Sequence, residues 1–321
     1  MTKLLILAVG CFCASILSVA HAESSYPNKP IHLVVPFPAG GAADIVARVI
    51  AKPLSDKLGQ PVVIDNKPGA DGMLAAETVA KAAPDGYTLF MATYGAMSVV
   101  PHLHKSVPYD VLKDFTPITS TGKFSFFLFA HPDVPAKTIP ELIEYVHTHP
   151  GLVNYGTGNV GSIVATAEFA NRNHLSMTHI PYKGEVPAMN DFLTGRVQLM
   201  IGTPINALPW IKEGKLKALA ALSDSRSPLL PDVPTMHELG MSNLSVTPWS
   251  GIFGPANMNS HIAQHLNVAI NQVLNDKDVQ SEFAKQAFVA HGSSITELGH
   301  YTKSQLKVWG IAAMTAGLKA E

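Results

Sequence analysis

Cysteine is nearly missing from this sequence: its 321 residues hold two, Cys11 and Cys13, both inside the first apolar segment. Beyond residue 13 there is no thiol, which excludes a disulfide framework, a cysteine nucleophile and a cysteine-ligated metal. Charge is also scarce, at 15% of residues against about 25% in an average soluble domain. The 23 Lys and Arg nearly balance the 24 Asp and Glu, so no basic surplus points to nucleic acid as a partner. No H-E-x-x-H, no G-x-S-x-G and no Gly-Lys-Ser/Thr phosphate loop occurs, so three widespread enzyme signatures are missing. His102-x-His104 and His147-x-His149 lack a third ligand at a recognisable spacing and read as surface histidines, with no metal site expected.

What is present describes a folded α/β chain. Hydrophobic residues make up 47%, with 24 Gly and 24 Pro for tight connections. At about 150 residues per domain, the length suggests two domains. The first 22 residues read as a secretory signal: Lys3, an apolar run from Leu4 to Val19, then Ala20-His21-Ala22 as the cleavage site. Ala8-Val9-Gly10-Cys11 resembles a lipoprotein box, but the apolar run continues well past Cys11 to Ala22. Export with cleavage near Ala22 is therefore expected, with no second membrane span. Removing Lys3 leaves 22 basic against 24 acidic residues, a net charge of −2.

The remaining chain alternates strand-like and helix-like segments. Ile31–Phe37 is a continuous apolar strand, suited to a sheet covered on both faces. Ile45, Val46, Val49, Ile50, Leu54 and Leu58 then form one helical stripe, which Pro53 is expected to kink or end. Strands at Val62–Ile64 and Tyr87–Ala92, separated by a helix over Met73–Ala83, complete a βαβαβ unit. The pattern restarts after Phe115, and Ser250–Phe253 reads as a returning strand before the closing helices His261–Leu274 and Glu297–Trp309. Two α/β units with a return crossing imply two lobes and a cleft: residues 27–122 and 247–321 form lobe 1, residues 123–246 lobe 2. In open α/β sheets, ligands sit where strands lead into helix N-termini.

Two glycine loops stand at such places. Pro36-Phe37-Pro38-Ala39-Gly40-Gly41-Ala42-Ala43-Asp44 follows the first strand, and its backbone N–H groups and helix dipole suit an anion. Asp44, in the first helical turn, suits capping. Gly156-Thr157-Gly158-Asn159-Val160-Gly161 spells G-x-G-x-x-G between a strand and a helix. A dinucleotide site also requires an acidic residue about 20 positions on. That neighbourhood reads Ile180-Pro181-Tyr182-Lys183 with Glu185 beyond, so a second anion-binding helix start is the better reading and no cofactor is expected. Thr157, Asn159 and Ser162 add side-chain donors and acceptors there. Phe37 and Trp249, at predicted strand ends, serve as core or as cleft wall.

The chain resembles the Bug/TctC family of periplasmic solute receptors, which serve tripartite tricarboxylate transporters. The resemblance rests on Tyr26–Ile31, Pro36–Asp44, Leu58–Val63, Asn66–Ala70, Lys81–Leu89, Pro181–Gly184 and Leu229–Thr235, in order along nearly the whole chain. It implies an α/β two-lobe periplasmic-binding-protein fold, a type II-like Venus flytrap with the ligand in the cleft between lobes. It also implies a small-carboxylate ligand, membrane permease subunits as partners, and a monomer without catalysis. By matching position the ligand falls to Gly40, Gly41 and Ala42, to Tyr94, Gly95 and Ala96 after the third strand, and to Thr157, Gly158, Asn159 and Ser162. Phe37, Asp44, Thr203 and Trp249 complete the expected set. Many members have a Phe-Asp-Asn-like stretch where this chain has Ile201-Gly202-Thr203. That departure predicts a ligand without an ammonium group, unless Asp44 or Glu185 supplies the counter-ion. Two rivals are a sensor-docking carboxylate receptor and a dinucleotide-dependent enzyme.

Overall fold

A computed structural model describes residues 26–223, 225–241, 246–286 and 288–320. The expected signal and both cysteines lie outside the described residues. In chain order the strands and helices are β1 (Ile31–Val35), α1 (Ala42–Leu58), β2 (Val62–Asn66), α2 (Met73–Ala80), β3 (Thr88–Thr93), α3 (Val100–Leu103), β4 (Phe115–Phe124) and β5 (Phe127–Ala130). There follow α4 (Ile139–Thr148), β6 (Asn154–Thr157), α5 (Val160–Arg172), β7 (Thr178–Pro181), α6 (Glu185–Leu193), β8 (Leu199–Gly202), α7 (Leu208–Lys212) and β9 (Lys217–Ala221). The last are β10 (Trp249–Pro255), α8 (Ser260–Leu274), α9 (Lys277–Ala284), β11 (Phe288–Ala290) and α10 (Ile295–Thr315).

These strands form two sheets. The first runs β11-β4-β10-β3-β1-β2 and the second β7-β6-β8-β5-β9. Parallel pairs join β1 to β2 and β3, and β6 to β7 and β8. The strands at the crossings, β10 and β5, pair antiparallel with their neighbours. The chain changes sheet between Phe124 and Phe127, and returns between Ala221 and Trp249.

Side-chain alternation along β1 decides the layers. Ile31, Leu33 and Val35 face α1 and α8, packing with Val46, Ile50, Leu54, Leu266 and Ile270. Val34 faces the other way, into a cluster that continues from Phe90 and Tyr94 through Phe126 and Leu128 to Tyr155 and Val160. One apolar core thus runs through both sheets. The far face of the second sheet is closed by α6, with Phe192 and Ala188 against Phe127 and Phe129. α10 lies across the junction: Trp309 stacks on Tyr94 with centroids 4.9 Å apart, and Asn171 of α5 donates to the Ala316 carbonyl at 2.7 Å.

Several local expectations are corrected. α1 runs through Pro53 without ending, because Ile50, Ala51 and Leu54 are buried on either side and hold the helix where one backbone bond is lost. β1 stops at Val35, since Pro36 and Pro38 cannot donate to a sheet. His102 is half-buried rather than free on the surface: its ring Nε2–H donates to the Leu306 carbonyl at 2.7 Å, and it lies against Gly310, where a Cβ would collide with it. α9 and β11 escaped the sequence reading. β11 is three residues long and pairs with β4 at Gly122, whose φ of +143° brings Val289 too close for any side chain.

Ile50 has no exposure in the α1–β1 layer. Ile50→Ala is expected to destabilise the protein by about 2–5 kcal/mol, read as a lower urea midpoint with an unchanged slope.

Candidate functional site

The β1–α1 loop is built around Asp44. Its carboxylate accepts the Gly40 N–H at 2.8 Å, the Arg48 Nε–H at 2.9 Å and Asn66 Nδ2 at 2.9 Å. Burial would raise the carboxyl pKa, but the bonds from Arg48, Asn66 and Gly40 outweigh it and hold the group below its ordinary value. Asn66 also donates to the Phe37 carbonyl at 2.9 Å, which fixes the turn. Asp44 is therefore a loop brace and not the helix cap expected of it: it bonds the Gly40 N–H ahead of α1, whose own start has no side-chain cap.

This bracing changes which donors are open. Gly40 gives its N–H to Asp44, and Gly41 gives its own to the Pro38 carbonyl at 3.2 Å. Gly40 carries the left-handed φ of +82°, whereas Gly41 sits at −73° in ordinary extended backbone. The open N–H groups are those of the first turn of α1, starting at Ala42 and Ala43, and no side chain caps them. Both residues line a cavity of about 270 Å³ between the two sheets. Phe37, Pro38, Phe124, Phe126 and Pro248 give it an apolar wall. Its polar groups are Thr93, Asn159, Lys183, Glu185, Thr203 and Asn206. The Thr93 hydroxyl is buried and meets no partner among the described residues. A buried hydroxyl left unpaired is costly.

A chain of side chains crosses this cavity. Tyr94 donates to Asn159 Oδ1 at 2.9 Å, and Asn159 Nδ2 donates to Glu185 Oε1 at 2.9 Å. Thr203 donates its hydroxyl to Glu185 Oε2 at 2.7 Å and its N–H to Oε1 at 3.4 Å. Burial pushes the Glu185 carboxyl up, against the bonds from Thr203 and Asn159 that lower it. Burial also raises the Tyr94 hydroxyl well above its usual range, with the Glu185 and Asp71 charges adding to the effect.

The G-x-G-x-x-G glycines serve packing. A Cβ at Gly158 would lie 2.5 Å from the Glu185 backbone, and one at Gly161 would enter the Tyr94 ring. The approach that a pyrophosphate would need is thus filled by Glu185 and Tyr94. The N-terminus of α5 is closed too: Asn159 accepts the Ser162 N–H at 2.8 Å, in a reciprocal cap with the Ser162 hydroxyl.

Of the residues expected at the ligand, Phe37, Gly41, Ala42, Tyr94, Gly158, Asn159 and Thr203 come together around the cavity. Gly40, which is exposed, and Asp44, which is buried, do not line it. Thr157 turns away, bonded at 2.7 Å to His179, and lines an adjoining cavity of about 640 Å³. Gly95 and Ala96 are buried in a π-helical turn after β3, and Ser162 is buried in its cap. Trp249 is no cleft wall: it has no exposure and packs on Phe253 and Tyr301. Sequence reasoning missed Thr93, Phe124, Phe126, Lys183, Asn206 and Pro248. Lys183 stood in the Pro181–Gly184 motif, and Phe124 and Phe126 flank the sheet crossing, so a signal existed for three of them. Among the described residues, no group of three His, Cys, Asp or Glu is placed to hold a metal.

Comparison with known proteins gives a consistent result. Residues 46–318 match the description "Tripartite tricarboxylate transporter family receptor". The chain is 35% identical to Protein BugT of Bordetella pertussis over 323 residues, covering 99% of each chain. It superposes on the structure of R. palustris Rpa4515 with adipate at a TM-score of 0.87, with 29% identity, covering 92% of this chain and 100% of that one. MatC from Rhodopseudomonas palustris with bound malate gives a TM-score of 0.82 at 31% identity, over 89% of this chain and 99% of that one.

The raised Glu185 carboxyl has a defined pH signature. An acid whose pKa rises on folding holds its proton more tightly in the native state. Native stability therefore falls as pH climbs from the ordinary glutamate value of 4.5 and levels above the folded value. Glu185→Gln abolishes this contribution. Its stability relative to wild type is expected to improve steadily upward from pH 4.5, in urea unfolding of both proteins at half-unit steps. A pH-independent difference would show that burial does not perturb this group.

Proposed function

The chain belongs to the tripartite tricarboxylate transporter receptor family, and from that membership and the chemistry of the cavity we propose that it captures a small carboxylate outside the cytoplasm. It would hand that solute to the membrane permease subunits of a tripartite transporter. The observation that carries the reading is the uncapped start of α1, opening into a cavity that has an apolar wall of aromatic rings and prolines. Backbone N–H groups at a helix N-terminus bind an anion without a cationic side chain. The apolar wall suits a carbon skeleton, as does the adipate held by the R. palustris relative.

In this reading residues 27–122 and 247–321 make lobe 1 and residues 123–246 lobe 2, with the ligand between them. Phe37, Gly41, Ala42, Thr93 and Tyr94 meet it from the first, and Gly158, Asn159, Lys183, Glu185 and Thr203 from the second. Binding is proposed to favour the closed arrangement, because only there do both sets touch one ligand. The protein acts as a monomeric periplasmic receptor, exported by residues 1–22, and performs no catalysis.

A thermal-shift screen against mono-, di-, tri- and aromatic carboxylates tests the proposal. A cognate ligand at about 100 Kd should add about 2.7 kcal/mol of stability. Small-angle scattering at the same saturation should give a smaller radius of gyration. No stabilisation by any carboxylate would refute the reading.

A further inference from the structure

Glu185 is an acid in a cavity read as the seat of an anion, and this conflict has a specific resolution. Its side chain occupies the space beside Gly202, where a Cβ would already lie 3.5 Å from Oε1. That is ordinary contact, so a side chain reaching beyond Cβ at 202 would meet the carboxyl that enters from the start of α6. Three donors converge on that carboxyl: Asn159 Nδ2, the Thr203 hydroxyl and the Thr203 N–H. Glu185 is also the first residue of α6, whose N-terminus carries no side-chain cap. Donors and helix dipole both favour the ionised form, while burial opposes it.

The charges around the cavity then sort into separate places. The α1 N-terminus is positive, and Lys183 lines the same cavity, is exposed and makes no ion pair among the described residues. The Tyr94 hydroxyl is beyond Asn159 and points at that amide. Asp71 lines the adjoining cavity. Within the 270 Å³ cavity, Glu185 is the anionic side chain. A plain dicarboxylate would bring a second negative charge beside it into a largely apolar space, where an unpaired or repelled charge is expensive.

Resting on the carboxylate-receptor reading, we propose that Glu185 is a specificity-determining residue that pairs with an ammonium group of the ligand, so that this receptor selects amino carboxylates over their des-amino counterparts. Thr203 and Asn159 position the Glu185 carboxylate by donating to three of its acceptor sites, two on Oε1 and one on Oε2, which leaves one on Oε2 for the ligand. The expectation drawn from Ile201-Gly202-Thr203, a ligand without an ammonium, is reversed: the missing acid is replaced in space from α6.

Calorimetric titration of the purified protein with matched pairs tests this: succinate and aspartate, glutarate and glutamate, adipate and 2-aminoadipate. In at least one pair the amino member is expected to bind tenfold or more tighter. Glu185→Gln is expected to shrink that ratio at least tenfold, by weakening the amino ligand and strengthening the des-amino one. Equal or tighter binding of the des-amino members to wild type would overturn the inference and leave the carboxylate-receptor reading standing. So would malate binding as tightly as aspartate, which would make Glu185 a mere hydrogen-bond acceptor. Should Glu185→Gln fail to fold, the wild-type ratios decide alone. Binding of no pair member would overturn this inference, and the receptor reading is then decided separately by the wider carboxylate screen.

Discussion

Tyr94, Asn159, Glu185 and Thr203 form one hydrogen-bonded series, and the geometry between the two sheets depends on it. Tyr94 follows β3 of the first sheet; Asn159, Glu185 and Thr203 begin α5, begin α6 and follow β8 in the second. The series demands short approaches, and the glycines supply them. Gly161 gives the Tyr94 ring its place, and Gly158 lets the β6–α5 loop touch the start of α6. From the other side, Trp309 of α10 stacks on the same tyrosine. A single aromatic residue is thus held by packing on one face and by the polar series at its tip.

The two glycine loops, alike in sequence, have opposite electrostatics. The β1–α1 loop spends its glycine N–H groups on internal bonds, and its acid on bracing, so that the helix start beyond them stays open. The β6–α5 loop caps its helix with Asn159 and Ser162, so its donors are used at home. Asn159 then contributes through its side-chain amide, as the link between Tyr94 and Glu185. A glycine-rich turn is therefore an anion site only where no nearby side chain has claimed the amides.

Most of the architecture was legible because it is periodic. The stripe Val46, Ile50, Leu54 and the alternation in β1 fix which faces are buried. Short elements without a full period were not legible: β11 has three residues, and its place is set by Gly122 across the sheet. The site was legible as loops but not as side chains. Glu185 is 26 residues from Asn159 and 18 from Thr203, and only the fold converts those separations into contacts. Trp249, whose position at a strand end left core and cleft wall both open, is core, because β10 is central in its sheet and every residue of it is buried.

The two crossings between sheets differ in length but meet side by side. From β4 to β5 the chain has only Ser125 and Phe126 between strand ends, whereas the return from β9 to β10 spans 222–248. At the junction the Phe124 N–H donates to the Pro248 carbonyl at 2.9 Å and the Leu222 N–H to the Phe126 carbonyl at 2.8 Å, so in the proposed closure the sheets pivot on this paired junction. Phe124 and Phe126, which flank that pivot, also line the cavity. In that closure the fulcrum lies beside the cavity, so a small change in torsion there is levered into a wide sweep at the outer edges, β2 and β7, where the geometric readout of occupancy would be largest.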